Sequence, residues 1–227
     1  MPAKQGNLAK RFGEDDEHIE IGVDEAGRGP MLGRVYSAAV VLPKEGDYRH
    51  ELMKDSKRFT SDRKIREVAS YIKEHALAWG VGYATEQDID KLNIRQATFQ
   101  AMHSAIKQVV EQRSLTSADS RLLIDGNDFK AYTSIDPSAG IVQLPHVCIE
   151  GGDNKYTSIA AASILAKVAR DDYIADICAE DPTLDERYGI MKNKGYGTKA
   201  HMEGIAKHGI TKHHRKTFGS CRLHSGT

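Results

Sequence analysis

Past His18 the chain alternates Ile19, Ile21 and Val23 with Glu20, Gly22 and Asp24. That two-residue period predicts a strand packed on one face, with Asp24 turned away from the apolar row. A glycine-punctuated turn over residues 26–33 leads into a second apolar run over 35–42, stopped by Pro43. Strands this close in sequence predict an antiparallel pair. Over 61–75, Ile65, Val68, Ala69 and Ile72 fall at helical spacing behind Ser61, a candidate cap. Residues 78–83 read as a third strand. Ile94, Ala97, Ala101, Ala105, Ile106 and Val109 predict a long amphipathic helix over 93–112. A short apolar run, Leu122 to Ile124, reads as a buried strand ending at Asp125-Gly126-Asn127. Residues 142–149 predict one further strand, which Pro145 assigns to a sheet edge. An Ala-rich helix is expected over 158–179. Strands first, then strands alternating with helices, predict an α/β or mixed-sheet domain. It is expected to span 18–222 as one unit, preceded by a flexible acidic lead-in over 1–17.

Composition narrows the class. The chain has 227 residues, 40% of them apolar and 28% charged, which suits one packed core and excludes disordered, collagenous and fibrous classes. No run approaches the roughly 18 apolar residues of a membrane span, and residues 1–18 are polar and acidic rather than an export signal. A cytoplasmic location is therefore expected. Cys148, Cys178 and Cys221 are far apart and read as reduced thiols. Although Lys and Arg balance Asp and Glu at 32 each, residues 187–227 hold nine bases and one acid, a charge of +8. The remaining 23 bases and 31 acids give −8 for residues 1–186. A basic end of this kind, expected to be a helical segment over 187–222, points to a polyanionic partner, most simply nucleic acid.

Asp24-Glu25 end the first predicted strand, Asp125 ends the fourth, and Asp153 precedes the Ala-rich helix. Carboxylates at the ends of buried strands need a donor, a cation or water. A cluster of them is the usual way to hold Mg²⁺ or Mn²⁺, and two such ions can drive phosphodiester hydrolysis. Each acid alone could equally be a strand-end or cap residue, and spacing does not show that they converge. Gly27-Arg28-Gly29-Pro30 lets backbone approach a ligand beside these acids, or forms an ordinary tight turn. It is neither a Walker loop nor a dinucleotide fingerprint. Tyr196, between Gly195 and Gly197 and flanked by Lys194 and Lys199, could offer its ring to a sugar or base. Lys57 in Asp55-Ser56-Lys57 could hold a phosphate. A zinc set of His213, His214 and Cys221 has poor spacing.

Taken together, Ile21-Gly22-Val23-Asp24-Glu25-Ala26-Gly27-Arg28-Gly29-Pro30, Asp55-Ser56-Lys57, Ile124-Asp125-Gly126-Asn127, Gly152-Asp153 before the Ser/Ala-rich helix, Arg170-Asp171 and Lys194-Gly195-Tyr196-Gly197-Thr198 closely resemble the type 2 ribonucleases H, the ribonuclease HII family. The likeness runs in order from about residue 19 to 218. It implies a ribonuclease H-like fold with a mixed five-stranded sheet, helices on both faces and a basic C-terminal helical segment that helps bind substrate. It also implies cleavage of RNA paired to DNA and incision at single ribonucleotides in duplex DNA, leaving 5′-phosphate and 3′-hydroxyl ends, by a monomer. By position Asp24, Glu25, Asp125 and Asp153 resemble the family's catalytic, metal-binding carboxylates, with two Mn²⁺ or Mg²⁺ ions as cofactors. Gly27, Arg28 and Gly29 resemble the motif that senses the ribose 2′-hydroxyl, Tyr196 the tyrosine that stacks on the following deoxyribose, and Lys57 a phosphate-binding lysine. A close glycine backbone suits reading of a 2′-hydroxyl, and a basic tail suits phosphate binding without base preference.

Two stretches depart from the family's usual pattern. Leu32 and Arg34 stand where a small residue and a proline are common, and Glu150-Gly151-Gly152-Asp153 replaces a Lys-Gly-Asp run. No sliding-clamp tail follows Phe218. The rival readings are another two-metal nuclease, such as a junction resolvase, and a nucleic-acid-binding module whose carboxylates are structural.

Overall fold

A computed structural model describes residues 8–13, 18–136 and 139–224. Its main sheet has five strands in the order β3-β2-β1-β4-β7. These are β1 (Ile19–Ala26), β2 (Val35–Val41), β3 (Ala78–Ala84), β4 (Ser120–Asp125) and β7 (His146–Ile149). The first two pair antiparallel, as do β2 and β3, whereas β4 runs parallel to β1 and β7 parallel to β4. The sheet is therefore mixed, as expected.

Helices cover both faces. α3 (Ile94–Arg113) packs Phe99, Met102, Ile106 and Val109 on Ile21, Val23, Leu122 and Ile124. On the other face α1 (Asp62–His75) and the long α4 (Thr157–Glu180) bury Ile65, Ile72, Ala161 and Leu165 against Ala38 and Val40. β1 is not packed on one face only, as its alternation predicts, but is buried on both. Its polar-looking row is covered too, and Gly22 is the reason. A Cβ there would lie 2.2 Å from the Ser158 carbonyl carbon, so α4 rests directly on the β1 backbone. That contact carries the start of α4 to the level of Asp24.

Other differences have local causes. The single strand expected over 142–149 is two strands. β6 (Gly140–Gln143) pairs with β5 (Thr133–Asp136) in a separate hairpin, and β7 joins the sheet edge after Leu144-Pro145. α2 (Glu86–Leu92) was not expected, although Thr85 and Asp88 form a reciprocal capping box at its start. Ser61 stands at the N-cap of α1 without a side-chain cap hydrogen bond. The basic segment is only partly helical. α5 (Thr183–Tyr188), α6 (Ile190–Asn193) and α7 (Lys199–His208) are followed by turns to Phe218 and a 3-10 turn, Gly219–His224. Within the expected lead-in, residues 8–13 are anchored. Ala9 N–H donates to the Lys155 carbonyl at 2.8 Å, and Thr157 N–H donates to the Ala9 carbonyl at 3.0 Å. The acidic run 14–17 lies outside the described residues.

Candidate active site

Register on the central strands brings two distant acids together. Val23 pairs with Ile124 across β1 and β4, so Asp24 and Asp125 leave neighbouring parallel strands side by side at their carboxyl ends. That end of an α/β sheet is where ligands characteristically bind. Glu25, one residue on, points to the opposite face. It lines a cleft of about 190 Å³ with Arg28, Arg95, Thr98, Asp125 and Asn127. The 3-10 turn Gly152–Asn154, between β7 and α4, adds Asp153.

Asp24 is only 5% exposed. Its Oδ1 accepts the Glu25 N–H at 2.6 Å, and the Ser163 hydroxyl of α4 bonds its carboxylate from behind. Ser163 is in turn held by Ser56 at 3.0 Å. Burial first, then the charges of Glu25 and Asp125, push the Asp24 carboxyl well above the ordinary carboxylate range. Glu25 is raised as well, chiefly by burial, although Arg28 Nη1 at 3.3 Å from its Oε1 opposes the shift. Asp125 Oδ1 accepts the Gly152 N–H at 2.6 Å. Burial, with Asp125 and Asp55 nearby, raises Asp153, whose Oδ1 accepts from Asn154 Nδ2 at 3.0 Å. Lys57 faces the whole group. Against the pull of its own burial, Asp55, Asp153, Asp24 and Asp125 hold its ammonium protonated.

All four expected carboxylates thus share one electrostatic neighbourhood. Among the described residues, however, no three Asp, Glu, His or Cys side chains stand close enough together to hold a metal ion. The donor set still fits a hard divalent cation, because it offers only carboxylate oxygen and Asp24 is buried next to like charge. The zinc set does not meet: His214 bonds His201, and Cys221 Sγ points at the Met31 carbonyl.

The glycine turn lies beside the acids and is fixed from below. Gly27 has φ +94°, and a Cβ there would lie 2.3 Å from Arg170 Nε, so the turn closes only around glycine. Arg215 donates to four carbonyls of this stretch: Gly27 at 2.6 Å, Gly33 at 2.8 Å, Arg28 at 2.9 Å and Arg34 at 3.2 Å. Arg170 Nη2 adds a 2.7 Å bond to the Lys194 carbonyl. Met31 N–H donates to the Gly195 carbonyl at 2.8 Å, which places the next residue, Tyr196, over the turn. Its ring Cε1 lies 3.4 Å from where a Gly29 Cβ would be, and the residue is 50% exposed. Arg34 stacks between the Tyr83 and Tyr173 rings at 4.4 and 4.5 Å.

Sequence reasoning gave Arg215 no role beyond its charge, and Arg170 none beyond its place in a motif. Neither could be singled out, because a buried arginine that serves carbonyls leaves no spacing signature.

Comparisons with known proteins converge on one family. A family model described as Ribonuclease HII matches residues 21–221. A ribonuclease HII from Parabacteroides distasonis is 46% identical over 200 residues, covering 88% of this chain and 89% of the relative. One from Bacteroides thetaiotaomicron is 48% identical over 202 residues, with the same coverage. The crystal structure of ribonuclease H2 from Pyrococcus horikoshii superposes with a TM-score of 0.66 at 23% identity, covering 90% of this chain and 95% of the other. Bst-RNase HIII in complex with Mn²⁺ gives a TM-score of 0.65 at 18% identity, with 92% and 70% coverage. The fold is ribonuclease H-like.

Proposed function

Because the chain belongs to the ribonuclease HII family and is an endonuclease of RNA-DNA hybrids, we propose that it also incises duplex DNA at single embedded ribonucleotides, by two-metal hydrolysis that leaves 5′-phosphate and 3′-hydroxyl ends. One observation carries this reading: Asp24, Glu25 and Asp125 meet at the strand ends beside a rigid glycine turn over which Tyr196 is exposed. Asp24, Glu25, Asp125 and Asp153 would hold two Mn²⁺ or Mg²⁺ ions, which supply an activated water and stabilise the departing 3′-oxygen.

The chain's own groups supply selection. Backbone of Gly27, Arg28 and Gly29 approaches the ribose closely enough to sense its 2′-hydroxyl, the group that distinguishes RNA from DNA. The Tyr196 ring packs on the following sugar and clashes with a 2′-hydroxyl there, which directs cutting to RNA-to-DNA junctions. Lys57, kept charged by the acids it faces, binds a phosphate oxygen on the same side. The basic segment over 187–222 grips the duplex through its phosphates. We place this work in the cytoplasm, in replication and repair of DNA that contains ribonucleotides, and assign it to a monomer. No described helix is long and apolar enough to cross a membrane.

The test is a cleavage map of the purified protein on three substrates: duplex DNA with one ribonucleotide, a long RNA-DNA hybrid and a four-way DNA junction, each with Mg²⁺, with Mn²⁺ and with chelator. Cuts on the 5′ side of the lone ribonucleotide, dependent on added cation, are expected. Cleavage of the long hybrid alone, or of the four-way junction, refutes ribonucleotide incision, and full activity in chelator refutes the metal role.

A further inference from the structure

Two histidines lie inside the C-terminal segment, away from the acids. His201 on α7 is 0% exposed and His214 is 1% exposed, and their Nε2 atoms are 3.1 Å apart. Two imidazole nitrogens facing each other can bond only if one carries a proton and the other does not. Their outer partners decide which. The Thr211 backbone N–H, which can only donate, points at His214 Nδ1 at 2.9 Å. His214 therefore carries its proton on Nε2 and donates to His201. That leaves His201 Nε2 as the acceptor and puts its proton on Nδ1, which lies 3.0 Å from the Tyr196 carbonyl, a group that can only accept. Every nitrogen in the row is satisfied in one arrangement of protons and in no other.

The row also joins two parts of the site. At one end the His214 backbone bridges to Leu32 of the glycine turn, and the next residue is the clamping Arg215. At the other end lies Tyr196, whose backbone carbonyl is fixed by His201 while its ring reaches Gly29. We propose that His201 and His214 are positioning residues: their directed hydrogen-bond row sets the distance between the Tyr196 ring and the glycine turn, and through it the preference for a lone ribonucleotide. The inference rests on the role given above to Tyr196. It is not a pH switch. Burial, then the neighbouring His201 and His213, push His214 down to about 3, so the row stays neutral at working pH.

The test compares cleavage rates on a lone ribonucleotide and on a long hybrid, taken as a ratio. His201→Leu breaks the row without adding a polar group, whereas His201→Gln keeps one acceptor and one donor. His201→Leu is expected to lower the ratio about tenfold, the scale of a small misplacement of a substrate-orienting group, with His201→Gln within about threefold of the parent. In a Tyr196→Ala background, His201→Leu should change the ratio no further, because its effect passes through that ring. A ratio unmoved by His201→Leu but lowered by Tyr196→Ala overturns the row alone. So does an equal loss from His201→Leu in both backgrounds. A ratio unmoved by Tyr196→Ala overturns the sensing role of the tyrosine, and this inference with it. Should His201→Leu fail to fold, the imidazole ¹⁵N-¹H spectrum of the parent protein decides. Protons on His201 Nδ1 and His214 Nε2 are expected, and any other pair of tautomers overturns the proposal.

Discussion

Two clusters of like charge lie close together in this molecule and meet opposite fates. At the strand ends Asp24, Glu25 and Asp125 are gathered under burial, and Asp24 is pushed well above the usual carboxylate range. Beneath the glycine turn Arg170 and Arg215 are gathered under deeper burial, with Arg215 pulled down to about 9 by desolvation and then by its neighbour's charge. Arg215 is nevertheless spent, whereas the buried Arg170 bonds the Lys194 and Leu32 carbonyls through Nη2 and leaves its Nε unpartnered. Arg215 gives its protons to carbonyls of Gly27, Arg28, Gly33 and Arg34, so the chain itself solvates the guanidinium. The acids receive a few N–H and hydroxyl donors and keep several oxygen lone pairs unused. Arg215 is closed and serves as scaffold; the acids stay open to a ligand of opposite charge. Burial of charge alone therefore does not mark a site; free acceptor lone pairs gathered on several like charges are what set the acids apart.

Asp24→Asn should separate the two clusters most strongly. If the acids are held ready for cations, this change should remove several kcal/mol of transition-state stabilisation, roughly a thousandfold or more in rate. It should at the same time raise the melting temperature in chelator, because a disfavoured buried charge is gone. Added Mn²⁺ should raise the melting temperature of the parent and not of the variant. Activity within about tenfold of the parent would show that Asp24 is not part of the reacting centre.

Arg215→Met tests the other cluster and should act in the opposite sense on stability. Four carbonyls lose their donor, some of them out of reach of water, and the expected cost is about 3 kcal/mol. The denaturant midpoint should fall with an unchanged slope. A stabilised Arg215→Met protein would mean that the guanidinium is as poorly compensated as Asp24, and the contrast between the clusters would vanish.

The open cluster was more legible in the sequence than the closed one, for a physical reason. Asp24, Asp125 and Asp153 each stand at the boundary of a strong periodic signal, so the pattern that predicts a buried strand or helix also marks the acid at its end. The antiparallel start of the sheet and the three long helices follow from the same periodicity. What escaped was set by tertiary contact. α2 has seven residues and one buried aliphatic side chain, Ile89, too little for a period to emerge beside its capping box. The split of the expected last strand at Leu144-Pro145 depends on which partner each half finds, β5 or β4. Arg215 is one base among nine in the tail, and only the folded chain distinguishes it. Docking of residues 8–13 against 155–157 rests on backbone hydrogen bonds and a single Phe12–Tyr156 ring contact, too little to leave a period in the sequence.

The finest distinction between the clusters is in their response to pH without metal. The folded state raises the pKa of Asp24, Glu25 and Asp153, with burial the largest cause in each. Between the ordinary carboxylate value, 3.8 for an aspartate, and the raised folded values, the native state binds more protons than the unfolded chain. Stability must then fall as pH rises through that window, at most about 1.4 kcal/mol per pH unit for each proton of difference. Glu86 works against this slope. Although burial tends to raise it, bonds from His213 and Tyr173 hold it below its usual value, so its contribution is lost as pH falls. Subtracting the Asp24→Asn profile from that of the parent removes Glu86 and leaves what Asp24 contributes. In chelator the variant's advantage should grow from about pH 4 upwards and level off above the folded pKa. Saturating Mn²⁺ should reverse the sign, since the cation favours the ionised acid. A flat difference in chelator would mean that Asp24 already has its compensating charge, and the strand-end cluster would then be as closed as Arg215 beneath the turn.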